Sequence, residues 1–105
     1  MLRIYPVILD LLRTLQPLLH AIERHDADLG RQMRRAMQSS ALNTSEGMYS
    51  RGRNRQARYH TALGSVREVL SVLEVAAVFG YLPPVEAELG ERFDVVIGTL
   101  VKLVR

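Results

Sequence analysis

The chain has 105 residues, of which 48% are hydrophobic and 24% are charged, and its formal net charge is +3. A chain of this length folds around one hydrophobic core, so we expect a single domain over residues 1–105 with no room for a separate catalytic domain. The sequence contains no cysteine, which excludes disulfides, thiolate metal sites and cysteine nucleophiles and makes the cytoplasm the expected location.

The first predicted element is a helix from about Ile4 to His25, because its apolar residues recur every three or four positions. Pro6 suits a first helical turn, where its missing N–H is not needed. Pro17 lies inside the apolar stripe and removes one backbone hydrogen bond, which predicts a kink or break near Thr14. We therefore expect one bent helix. The stripe consists of Ile4, Ile8, Leu11, Leu12, Leu15, Leu18, Leu19 and Ile22.

The second predicted helix begins at Asp26 or Asp28, because either carboxylate can accept hydrogen bonds from the free N–H groups of a first turn. It ends near Ser50, and residues 51–54 are predicted to form a turn. Small side chains dominate the expected inner face of this helix, so a neighbouring helix can approach closely. The face consists of Leu29, Met33, Met37 and Met48 alternating with Ala36, Ser40, Ala41 and Thr44.

The third predicted helix runs from about Arg55 to Phe79, and Gly80 follows it as a C-terminal cap. The last helix opens at Pro83 and Pro84, because proline suits a first helical turn. The connections between these four helices are short. Short connections between helices of similar length predict an all-α fold, an antiparallel up-and-down four-helix bundle.

Helices three and four carry more apolar residues than one core needs, over residues 69–79 and 95–104. Leaving this surface in water would cost about 25 cal/mol per Å² of apolar area. We therefore expect copies of the chain to self-associate, with Leu100 and Val101 at the interface. The alternative is that these two helices form the central pair of a monomer.

Basic residues concentrate in the middle of the chain. Residues 31–67 contain eight arginines and one acidic residue, Glu46, whereas residues 68–105 contain six acidic and three basic residues. The planar guanidinium group matches phosphate oxygens two at a time, which favours an anion-binding surface. Tyr49 and Tyr59 are candidate stacking faces beside it. The predicted nucleic-acid-binding residues are Arg31, Arg34, Arg35, Arg51, Arg53, Arg55 and Arg58.

Two other interpretations of this arginine-rich surface stay open: a solvated or ion-paired loop, and a surface for an acidic protein partner. No motif that reads base edges is present, so nucleic-acid contact is expected with the backbone or the overall shape. His20, His25 and His60 lack zinc-ligand spacing, and there is no phosphate-binding glycine loop, nucleophile elbow or catalytic carboxylate pair. We expect no catalytic residue, no metal and no cofactor, and hence no enzyme. No stretch is long and uncharged enough to span a membrane.

Polar and small residues are predicted to form a structural cluster between the second and third helices. Asn43 and Glu46 share one helix face, and Gly47 and Gly64 remove side chains where the two helices would meet. Asn43, Glu46 and Ser65 are expected to satisfy one another's hydrogen bonds there. Such a buried polar set fixes the register of two helices more than it stabilises them.

Four segments carry a resemblance in their order and spacing: residues 31–36 (RQMRRA), 42–47 (LNTSEG), 62–68 (ALGSVRE) and 80–82 (GYL). They resemble a bacterial four-helix bundle family. That family includes proteins encoded in intervening sequences of large-subunit ribosomal RNA genes and the accessory variability proteins of diversity-generating retroelements. Its second motif commonly has Ile-Ala between Asn and Glu, where this chain has Thr44 and Ser45.

The resemblance implies an antiparallel four-helix bundle that assembles into a ring, typically a homopentamer, with a basic surface. Because the retroelement members bind reverse transcriptase and nucleic acid, it also implies such partners, or another acidic protein, for this chain. The expected function is a non-enzymatic, ring-forming accessory protein whose arginines contact nucleic-acid backbone or a ribonucleoprotein partner. The alternative is a purely protein-binding oligomeric adaptor without nucleic-acid contact.

Overall fold

The computed structural model describes residues 4–105, and within them the chain forms four α-helices and no strand. Each helix packs against its neighbours along the chain, and α4 closes the bundle against α1. The predicted all-α, antiparallel four-helix bundle is confirmed, whereas residues 1–3 of the expected domain lie outside the described part. The helices are α1 (Ile4–His25), α2 (Ala27–Tyr49), α3 (Gly52–Val78) and α4 (Ala87–Leu103).

Helix α1 is a single helix that continues through Pro17 with no break at Thr14. Its buried side chains follow the predicted stripe on both sides of the proline, with Leu15 and Leu19 fully enclosed by the core. The ring of Pro17 is exposed to solvent. Core packing therefore holds the helix together around the hydrogen bond that the proline removes.

The connection between α2 and α3 is shorter than predicted. Asp26 caps α2 as expected, its Oδ1 accepting from the Leu29 N–H at 3.0 Å, and the helix ends at Tyr49 with Ser50 as its C-cap. Gly52 has φ +60°, a left-handed conformation that glycine adopts without strain, and α3 begins there. Only Ser50 and Arg51 lie between the helices, so the prediction of a turn over residues 51–54 is wrong.

Gly80 ends α3 as predicted. Its φ is +77°, its N–H donates to the Ala77 carbonyl, and the Tyr81 N–H donates to the Ala76 carbonyl, which together form a Schellman cap. The prediction that Pro83 and Pro84 open the last helix is wrong, because α4 begins at Ala87. A residue that precedes proline avoids the helical conformation, which holds the chain extended through this pair.

The core combines one stripe from each helix, and the buried residues of α4 are Phe93, Val96 and Leu100. Leu100 is 0% exposed within a single chain, so the prediction that it lies between copies is wrong, and a charge there would unfold the bundle. Val101 is also partly buried against this core. The large apolar residues of α3, its C-cap and α4 that stay exposed are Val75, Val78, Phe79 and Val95.

Candidate nucleic-acid interface

Four exposed arginines surround the connection between α2 and α3. Arg51 lies in the connection, and Arg53, Arg55 and Arg58 lie on the first two turns of α3. The first turn of α3 contains no acidic residue, and no side chain caps it. The partial positive charge of the helix N-terminus therefore adds to the charge of the arginines.

The end of α4 contributes two further cations that the sequence analysis missed. Gln56 Nε2 donates to the Arg105 carbonyl oxygen at 3.0 Å, which places Arg105 beside the first turns of α3. Lys102 lies one helical turn earlier, and both cations are exposed. The predicted topology already implied this proximity, because an up-and-down bundle puts the end of its fourth helix beside the start of its third helix. We name this surface the basic end: Arg51, Arg53, Arg55, Arg58, Lys102 and Arg105.

Local contacts hold two arginines of the basic end. Arg58 Nη1 pairs with Glu46 Oε2 at 3.0 Å, and Arg55 Nε donates to the Ser50 carbonyl oxygen at 2.9 Å. Within residues 4–105, Arg51 and Arg53 have no carboxylate partner at ion-pair distance. The exposed Arg58–Glu46 pair is weak in water, so most of the charge of this surface is available to an incoming anion.

The structure separates the two tyrosines that were predicted to stack on bases. Tyr49 ends α2 beside the basic end and is 85% exposed, so its ring can stack on an unpaired base. Tyr59 is 0% exposed. Its ring lies in the core, so its expected role as a stacking face is wrong.

Arg31, Arg34 and Arg35 do not join the basic end. They lie on the first half of α2, and the 14 residues from Arg35 to Tyr49 correspond to about 21 Å along the helix. Two of the three are already paired: Arg31 with Asp28 at 2.6 Å, and Arg34 with Glu23 at 2.9 Å. The structure thus divides the seven predicted arginines into two groups, because most of the length of α2 separates Arg31, Arg34 and Arg35 from the connection that follows Tyr49.

The predicted polar cluster exists in a changed form, with Ser39 at its centre. The Ser65 hydroxyl donates to Ser39 Oγ at 2.7 Å, and Asn43 Nδ2 donates to Ser39 Oγ at 3.1 Å and to the Ser39 carbonyl oxygen at 3.0 Å. Glu46 is not a member, because it is exposed and faces Arg58. Ser39 lies one turn before Asn43 on the same face of α2, and this spacing is the signal that the sequence analysis did not use.

The two glycines of the predicted cluster differ. An ideal Cβ on Gly47 would lie 2.7 Å from Tyr59 Cε1, so α2 and the ring of Tyr59 approach closely only because Gly47 has no side chain. Gly64 is exposed, and a Cβ there would meet nothing within 4 Å. Its predicted role in helix contact is wrong, because its position on α3 faces solvent. The Tyr59 hydroxyl is buried and has no hydrogen-bond partner within residues 4–105.

Over the described residues 4–105, no helix is both long and apolar enough to cross a membrane. Comparison with known proteins adds no relative to this picture. No protein-family model, no curated protein and no solved structure matches the chain.

Proposed function

We propose that the chain is a non-enzymatic nucleic-acid-binding protein and that its basic end contacts the phosphate backbone. The observation that carries this proposal is the convergence of six exposed cations from the α2–α3 connection, α3 and α4. Glu46 is the only acidic residue between positions 29 and 67, so little negative charge opposes them. Tyr49 adds a ring that stacks on an unpaired base, which favours single-stranded over double-stranded targets.

Salt dependence is the physical signature of this kind of binding. Each phosphate that a cation neutralises releases bound counterions, so affinity falls as salt rises. If all six cations contact phosphates, raising the salt concentration from about 50 to about 200 mM should weaken binding about a thousandfold. The measurement is fluorescence anisotropy of labelled single-stranded RNA, its DNA equivalent and the corresponding duplexes, at both salt concentrations.

Removing two of the arginines of the basic end that have no ion-pair partner, Arg51 and Arg53, should weaken this binding without unfolding the bundle. We expect Arg51→Gln with Arg53→Gln to lower the affinity about tenfold or more and to reduce the salt slope by about two. The matched control, Arg24→Gln with Arg67→Gln, removes the same net charge from two exposed positions away from the basic end. Equal weakening by both pairs, or no salt-sensitive binding by the wild-type chain, would contradict the proposal.

A second candidate function, assembly with other copies or with a protein partner, is favoured by an exposed apolar patch. Val75, Val78 and Phe79 lie at the end of the bundle opposite the basic end, and Val78 is 84% exposed. Phe79 stacks on Tyr81 with ring centroids 5.8 Å apart, and Tyr81 stacks on His25 at 5.1 Å. These stacked contacts hold the exposed ring of Phe79 in place. Less side-chain conformational entropy is therefore lost when a partner binds this ring.

Light scattering tests the assembly. If copies associate through this patch, Val78→Glu should give monomers that remain folded, because the side chain contributes little to the core. Leu42→Glu is the control, since Leu42 is a similarly exposed apolar side chain on α2, outside the patch. A monomeric wild-type chain would exclude self-assembly, and with it the ring of five that the family resemblance implies.

A further inference from the structure

A cleft opens where the connection between α3 and α4 separates α4 from α1. Its volume is about 320 Å³, which is at the small end of the range for ligand sites. Most of its wall is apolar, so it would hold an apolar molecule better than water. The apolar wall consists of Pro17, Leu18, Leu73, Leu82, Pro83, Pro84, Val85 and Leu89.

One cation in this cleft is unlike every other arginine that the structure describes. Arg92 is half-buried, whereas each other arginine within residues 4–105 is exposed. Its Nη1 donates to Thr14 Oγ1 at 2.7 Å, and Thr14 in turn donates to the Asp10 carbonyl oxygen at 3.2 Å. Within the same residues Arg92 has no carboxylate at ion-pair distance. A partly desolvated guanidinium whose partner is a neutral hydroxyl keeps donors for an anion.

The carboxylates of Glu86 and Glu88 also line the cleft, and they oppose an anion. Both residues are exposed at the start of α4, where they are favourable near the positive helix N-terminus. Water screens exposed charges more strongly than a half-buried one. Arg92 therefore determines which ligand charge the cleft favours more than the two glutamates do.

The position of Pro17 is a second observation that indicates a functional role for the apolar wall of the cleft. Proline inside a helix is destabilising, and the exposed ring of Pro17 contributes nothing to the core. It does form part of the cleft wall, together with Pro83 and Pro84. Residues that break local folding rules concentrate at functional sites.

We propose that this cleft binds a small apolar carboxylate, with the carboxylate group on Arg92 and the apolar body against the proline and leucine wall. This site is independent of the basic end, since Arg92 and Pro17 belong to neither the α2–α3 connection nor the end of α4. The ligand class follows from the pairing of one half-buried guanidinium with an apolar cavity of this size.

Titration with octanoate, octylammonium and 1-octanol tests the proposal, because the three probes share a body and differ in charge. Two-dimensional amide NMR is the readout. We expect saturable shifts from octanoate, confined to residues 14–18, 73 and 82–92, and binding about tenfold tighter than for either of the other probes. Equal affinity for all three probes, or shifts spread over the whole bundle, would overturn the proposal.

Variants of the chain separate the charge of the cleft from its shape. Arg92→Gln should lower octanoate affinity about tenfold, whereas Arg67→Gln, which removes an exposed arginine outside the cleft, should leave it within about twofold. Val85→Trp fills the cleft and keeps Arg92, so it should abolish the shifts even if Arg92→Gln disturbs the fold. Unchanged binding by the Val85→Trp variant would place the ligand elsewhere and overturn the assignment.

Discussion

Replacing Gly47 with alanine is expected to lower the free energy of unfolding by about 2 kcal/mol. The added Cβ would lie 2.7 to 3.0 Å from three atoms of the Tyr59 ring, and that ring is 0% exposed. The ring has no room to retreat, so α2 and α3 must separate or the ring must leave its preferred rotamer. Overpacking of this kind exceeds the gain of about 1 kcal/mol that alanine brings to a helix interior over glycine. Thermal unfolding should show a midpoint about 10 °C lower.

Gly64→Ala provides the matched control, because it makes the same chemical change on the neighbouring helix. A Cβ at Gly64 meets nothing within 4 Å, so only the helix preference acts, and stability should rise by about 0.5 to 1 kcal/mol. The two substitutions should therefore have opposite signs. Equal effects at Gly47 and Gly64 would show that the close approach to Tyr59 is absent. Tyr59→Leu in the Gly47→Ala background should recover part of the lost stability.

Replacing Pro17 with alanine is expected to raise the free energy of unfolding by about 2 to 3 kcal/mol. Alanine supplies the N–H that the Arg13 carbonyl lacks within α1, and it relieves the contact between that carbonyl and the proline ring. Because Pro17 is exposed, the change leaves no cavity in the core. The midpoint of chemical denaturation should move to higher denaturant with an unchanged slope.

Pro6→Ala is the control for this prediction, on the same helix and also at an exposed position. Pro6 lies in the first turn of α1, where N–H groups have no partner within the helix. Its replacement should therefore change stability by less than about 1 kcal/mol. If Pro17→Ala is no more stabilising than Pro6→Ala, then α1 does not continue unbroken through Pro17.

The number of helices and their order were predictable from the sequence, because the apolar period is strong and glycine or a capping acid marks several boundaries. The Gly80 stop was predicted and is confirmed, and of the two predicted caps of α2, Asp26 and Asp28, the structure has Asp26. The helix boundaries that were predicted wrongly depend on backbone conformation at single residues. Gly52 turns the chain with a positive φ, whereas Pro83–Pro84 holds the chain extended. Neither conformation can be assigned from the periodicity of apolar side chains.

The candidate interface was only partly predictable, because a count of charges along the chain contains no distances. Arg31 and Arg53 fall in one basic stretch of sequence, yet they lie on different halves of the bundle. Arg105 is far from Arg53 in sequence, yet Gln56 holds it beside the same helix. Burial of Tyr59 in the core likewise excludes its expected role as a stacking face. Positions of this kind follow from the packing of whole helices, which local sequence patterns do not encode.

The contact between Gln56 and the Arg105 carbonyl has a practical consequence for how the chain is handled. An affinity tag or fused domain joined after Arg105 would extend from the bundle across the arginines of α3. It would shield these arginines from nucleic acid. Because the number of helices is even, α1 also begins at this end, so a fusion before it would crowd the same surface. A fluorescent label on the turn between α1 and α2, at the far end of the molecule, would leave the basic end open.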